Sequence, residues 1–389
     1  MRPTEFQYWQ NVERPWVRRM RSLTNRFLRF DPAPPQEVVE SLAAMYFDGD
    51  EVAAAVVRSG HSAMALREAR KATGETRANL PIEVEAFLDD IKREPSWLDL
   101  ELVERGARAF CRFGPAVFRF AGAITLAGYA ENSVAQPLIQ SGAYVGDSTR
   151  RRFLETVSFW IAVSEPGGLE AGAAGLALAL RVRFMHAGLR QKLSSNGRWD
   201  EAAWGKPIST ADALLTLMGG SVAPALAFLP LGHLTSSAEI RALLHFWRYV
   251  GHLMGVRPCW FPATWQDIVR LGFVVALKSA SLSGEDGREL CRSYANAFKP
   301  SGKGNLRVRV RAAIDHRVHL GYTRLFLPPH LHARNGLPKA GPWVLAPFAP
   351  LPVTLLTEVL RRLSPTLEQS IDRRSQRRRR RWLEKRMRA

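Results

Sequence analysis

A chain of 389 residues, 46% apolar and 10% aromatic, has ample material for a large buried core. Its net charge of +19 therefore does not signal disorder and belongs on the surface or in a tail. Three cysteines, Cys111, Cys259 and Cys291, lie far apart with no paired spacing, which excludes a disulfide framework and a thiolate zinc centre and points to a reducing compartment.

The N-terminal MRPTEFQYWQNVERPWVRRM has no apolar run of the kind that directs export, so a cytoplasmic protein is expected. From there the chain reads as helix after helix. Apolar residues recur at spacings of three and four in PQEVVESLAAMYF (35–47), DGDEVAAAVVRSG (48–60) and DLELVERGARAFCRF (99–113). The same period continues in DSTRRRFLETVSFWIAV (147–163), with Asp147 and Ser148 at its start, and in GLALALRVRFMHAGLRQKL (175–193). STADALLTLMGGSVAPALAFL (209–229) and SSAEIRALLHFWRYVGHLMGV (236–256) each open on a capping-box pattern, Ser209 to Asp212 and Ser236 to Glu239. Proline and glycine end helices at DPAPP, SEPGG, KPSGKG and RNGLPKAGP. FGPAVFRFAGAITLAGYA (113–130) and GPWVLAPFAPLPVTLLTEVL (341–360) are the most apolar stretches; Arg119 breaks the first and prolines break the second, so both are read as buried core rather than membrane spans. No repeat and no linker interrupts the pattern. The expectation is an all-α protein, one large helical domain over 1–372, followed by a loosely ordered basic tail, 373–389, in which ten Lys or Arg residues face the single acid Glu384.

Three clusters carry chemistry. Arg183 and Arg190 lie three residues before and four after His186, so one helix face holds all three. A buried imidazole between fixed cations resists protonation and keeps a lone pair for a metal, while the arginines could hold acidic cofactor groups such as haem propionates. The same spacing also suits a histidine that donates to a carbonyl in the core. In RRRFLETVSFW, Arg152 and Thr156 share a face with Glu155 beside them, which is also the pattern of an ordinary surface ion pair. In HFWRYVGHLMGV, His245 and His252 are seven apart around Trp247 and Arg248, too far for a paired metal site.

Taken in order, SGAYVGDSTRRRFLETVSFWIAVSEPGGLEAGAAGLALALRVRFMHAGLRQKL, WGKPISTADALLTLMGG and LLHFWRYVGHLMGV resemble the MpaB and rubber oxygenase family. The likeness is good over about residues 110–260 and weak in the flanks; it rests on an arginine-threonine pair, a His-Ala...Arg motif, a Gly-x-Pro-Ile segment and a Trp-Arg-Tyr-x-Gly helix. The resemblance implies an all-α, globin-like core around haem b, with His186 as the protein ligand of the iron. It also implies that Arg152 and Thr156 lie near the haem. In better known members the residue before that threonine is a lysine able to occupy the distal side. Here it is Glu155, which leaves an open distal position, a base, or a side chain turned outward as alternatives, with Glu131 a second candidate base.

The family's chemistry implies dioxygen and a lipophilic alkene, for example an isoprenoid, as reactants, and Phe159, Trp160, Phe184 and Met185 offer a suitable lining. The competing reading is a non-catalytic haem-binding or sensing protein of the same fold. Charge concentrated at the C-terminus predicts contact with an anionic membrane surface, with Trp382 and Leu383 as a shallow anchor. No motif for specific nucleic-acid binding is present.

Overall fold

The computed structural model describes residues 1–70, 79–146, 148–278, 283–300, 302 and 305–388. Asp147, part of the KPSGKG break and Ala389 lie outside the described residues. Among the described residues the architecture is all-α, with helices joined by short turns and no β-sheet. The chain forms two compact units. The first comprises Met1–Ala109, Phe159–Leu217 and Ser237–Ala280; the second comprises Phe110–Ser158, Met218–Ser236 and Ser281–Ala389.

In the first unit, periodic apolar faces meet. Ala53 and Val56 from the helix Glu51–Arg58, Val84, Phe87 and Leu88 from Ile82–Lys92, and Leu180, Phe184 and Ala187 from Ala174–Ser194 bury one another. Phe87 and Phe184 pack with ring centroids 4.7 Å apart. Phe184 is therefore core and Met185 is exposed, so neither serves as the expected pocket lining; Phe159 and Trp160 are buried. Capping agrees with the sequence where it can be read: Asp50 Oδ1 accepts from the Ala53 amide at 3.2 Å, and Ser209 accepts from the Asp212 amide at 3.1 Å while its hydroxyl donates to the Asp212 carboxylate at 2.8 Å. The run 209–229 is not one helix. It ends as an α-helix at Leu217 and continues through a wide π turn, Met218–Val222, where Gly219 and Gly220 lower helix propensity.

In the second unit the apolar helix Ala116–Gly128 is buried as expected and packs on Leu306–Phe326. A third helix, Gly284–Asn296, also comes close to the first of these at Gly122, where a Cβ would lie 1.5 Å from the Tyr294 hydroxyl oxygen. Phe120 meets Phe326 at 4.8 Å and Phe228 at 5.3 Å.

The described residues depart from three expectations. The tail is not loose: a helix, Pro365–Met387, runs through the boundary placed at 372 and 373. Arg112 donates to Asp372 at 2.7 Å and to Glu368 at 2.6 Å, Arg386 pairs with Asp315, and Arg379 is fully buried. The helix is pinned by neutralising pairs that no local pattern reveals. Trp382 packs on Phe118 at 5.2 Å and Leu383 is buried, so neither is free as a membrane anchor. Conversely, 341–360 is expected to be core, yet the stretch Gly341–Leu363 that contains it is only 11% buried.

Candidate cofactor site around His186

His186 sits partly buried on the long helix Ala174–Ser194, in the first unit. Burial, reinforced by the nearby Arg190 charge and opposed by Asp50, pushes its imidazole down to about 4. It is neutral at physiological pH, and no hydrogen bond engages it among the described residues.

One turn before it, Arg183 is 1% exposed and forked onto two carboxylates. Its Nε and Nη2 donate to Asp50 at 2.6 and 2.9 Å, and Nη2 also donates to Asp90 at 2.7 Å. Arg257 donates twice to the same Asp90, at 2.5 and 2.7 Å. Two cations and two anions thus balance. Burial alone would raise the Asp90 carboxyl, yet Arg183 and Arg257 hold it below the usual carboxylate range. Gly255 makes the close approach possible: its φ is +75°, and a Cβ there would stand 2.0 Å from Asp50 Oδ2.

One turn after His186, Arg190 donates to the carbonyls of Pro207 and Ile208 at 3.1 and 2.7 Å. Ile208 has φ +50°, an unusual conformation for a β-branched residue, so Arg190 secures a strained corner of the Gly-x-Pro-Ile segment. Neither arginine is the free cation that the sequence suggested. Each nevertheless keeps one buried Nη1 without a partner among the described residues. Asp50, Arg183, His186, Arg190 and the Met254–Val256 strap surround a cavity of about 10 Å³, room for one water. The fit to haem b is thus one of donor chemistry: a neutral, unspent imidazole and two unpaired guanidinium donors on one helix face. A macrocycle on His186 requires more space than that cavity offers.

The other expected site residues lie in the second unit, on the helix Ser148–Ser164. Arg152 donates to Glu155 at 2.8 Å, with both side chains substantially exposed, and Glu155 accordingly turns outward to its neighbour. The Thr156 hydroxyl donates to the Arg152 carbonyl at 3.1 Å and meets the Tyr144 hydroxyl at 3.0 Å. Glu131 occupies the N-cap of Asn132–Ser141. His245 and His252 pack: their rings lie 5.4 and 6.0 Å from Trp97, over which Arg248 also sits at 4.2 Å.

Sequence reasoning missed Asp50, Asp90, Arg257 and Gly255. Asp50 shows itself as a helix cap ahead of Glu51; its pairing with Arg183 spans 133 residues and leaves no local mark.

Comparison with known proteins adds three findings. The family described as "ER-bound oxygenase mpaB/B′/Rubber oxygenase, catalytic domain" matches residues 112–362. A rubber oxygenase of Streptomyces sp. (strain K30) is 25% identical over 226 residues, 56% of this chain and 54% of that protein, so the chain spans about half the length of this curated relative. The structure of latex clearing protein in its closed state superimposes with a TM-score of 0.61 over 86% of this chain and 90% of that one, at 18% identity, and shows a shared fold.

Proposed function

This chain belongs to the mpaB and rubber oxygenase family, and from that premise we propose that it is a haem b-dependent oxygenase acting with dioxygen on a lipophilic alkene of isoprenoid type. The observation that carries the reading is His186: a neutral imidazole with no hydrogen-bond partner among the described residues, on a helix held by Arg183 and Arg190.

His186 would hold the iron through its unspent lone pair, and the unpaired Nη1 atoms of Arg183 and Arg190 suit the acidic edge of the cofactor. When bound, haem b supplies the iron that activates dioxygen toward a carbon-carbon double bond. The protein's own part is positional. The Asp50, Arg183, Asp90 and Arg257 cluster fixes the turn before His186, and the Arg190 bonds to the 207–208 backbone fix the turn after it. Because burial keeps the imidazole neutral down to about pH 4, ligation does not compete with a proton in the physiological range.

The test is oxygen uptake by haem-loaded protein with a long isoprenoid alkene, with carbonyl products followed by mass spectrometry. Alkene-dependent uptake with cleavage products supports the reading. Haem binding without uptake on any alkene would instead identify a carrier or sensor of the same fold.

A further inference from the structure

The helix Leu351–Leu363, in the second unit, is inside out. Its protein-facing side carries a buried ion pair: Glu358 and Arg361 are 5% and 8% exposed, with Arg361 Nε donating to Glu358 at 2.9 Å. Its solvent-facing side is apolar. Val353, Leu356, Val359 and Leu363 fall on one stripe and are 50–71% exposed. Leu345 in the preceding Gly341–Phe348 stretch is exposed as well, and so is Leu234, whose carbonyl accepts from Arg362. The two threonines do not relieve this: Thr354 and Thr357 donate to the helix's own carbonyls at Pro350 and Val353, 3.0 and 2.7 Å away. A monomer in water gains nothing from such a face.

The helix packed against it, Pro365–Met387, carries Arg373, Arg374, Arg377, Arg378 and Arg381 exposed. Apolar stripe and arginine row together fit a surface with acyl chains beneath anionic headgroups. We infer that the helix Leu351–Leu363 lies in the interface of an anionic lipid bilayer, its leucine and valine stripe immersed and the arginines of the next helix on the headgroups. Spanning is excluded by length: thirteen residues rise about 20 Å, short of a hydrocarbon core of about 30 Å, and Pro347 and Pro350 interrupt the apolar run before it. A second copy on the same face would bring two arginine rows together in a chain of net charge +19. The inference stands apart from the oxygenase reading.

The full-length protein is tested by flotation with phosphatidylcholine vesicles, with and without phosphatidylglycerol. Partition is expected to be at least about tenfold stronger on the anionic vesicles and to weaken with salt. Leu356→Gln/Val359→Gln/Leu363→Gln, all at exposed positions, should lower it by about tenfold or more. Amide exchange of the unmodified protein gives an independent readout, with residues 351–363 slowed by anionic vesicles. No partition, partition unchanged by the triple substitution, or lipid-free protection of 351–363 that rises with protein concentration would each overturn the inference, the last assigning the face to a second copy.

Discussion

Replacing Asp50 by Asn removes one charge from a cluster in which two arginines face two carboxylates. Arg183, at 1% exposure, cannot recover the loss from water. Losing one partner of a buried pair typically costs about 3–5 kcal/mol. Two contacts soften that figure here. Asp90 still accepts from Arg183 at 2.7 Å, and an Asn oxygen can retain one neutral hydrogen bond of about 1 kcal/mol. The Ala53 amide also keeps its cap, because Asn caps as well as Asp. The expected cost of Asp50→Asn is therefore about 2–4 kcal/mol, and Asp50→Ala should add about 1 kcal/mol for the cap. Opening free energies from amide exchange in Glu51–Arg58 and Ile82–Lys92 read both values, and high salt should change them little, because the pair is buried. A cost for Asp50→Asn below about 1 kcal/mol, or one erased by salt, would refute the claim that this cluster braces the His186 helix.

Gly255→Ala places a methyl 2.0 Å from Asp50 Oδ2 in a left-handed conformation, so it should destabilise at least as much as Asp50→Ala; combined with Asp50→Ala it should cost less than the sum, and strict additivity would argue against the contact. Burial pushes His233 down to about 4 and His319 to about 3, so both stay neutral in the folded second unit while the unfolded chain binds protons below about pH 6.5. Stability of that unit should accordingly be full above pH 7 and fall as pH drops from 6.5 toward 4, and a thermal midpoint flat across that window contradicts the assignment. Glu155→Gln breaks only exposed pairs, with Arg151 and Arg152, so stability should change by less than about 0.5 kcal/mol and turnover by less than about twofold; a tenfold loss of turnover would restore Glu155 as a base.

Local signals carried the helices well, because apolar period and caps act within a few residues. The Ser209 and Asp212 box and the stripe of Leu180, Phe184 and Ala187 are examples. They misled where long-range contacts decide. Arg379 read as tail but is fully buried, and Asp372, at the boundary placed before that tail, pairs with Arg112 from 260 residues away. The apolar run after Gly341 read as core, yet in its helix Leu351–Leu363 the Glu358 and Arg361 pair is buried while Val353, Leu356, Val359 and Leu363 face out. At the site, the motif located His186, Arg183 and Arg190 on one face. It could not tell that both arginines spend most of their donors on the protein itself, since Asp50, Asp90 and the 207–208 carbonyls are distant in sequence.

The central claim is that His186 is the protein ligand of a haem. It is tested most directly by titrating haem b into wild-type protein, His186→Ala and His252→Ala while following the absorption spectrum. His252 packs against Trp97 and serves as the control. His186→Ala should keep its helical circular dichroism and lose most of its haem and its ligated spectrum, with His252→Ala retaining both. A His186→Ala protein that holds a full complement of normally ligated haem, while His252→Ala loses it, would contradict the account.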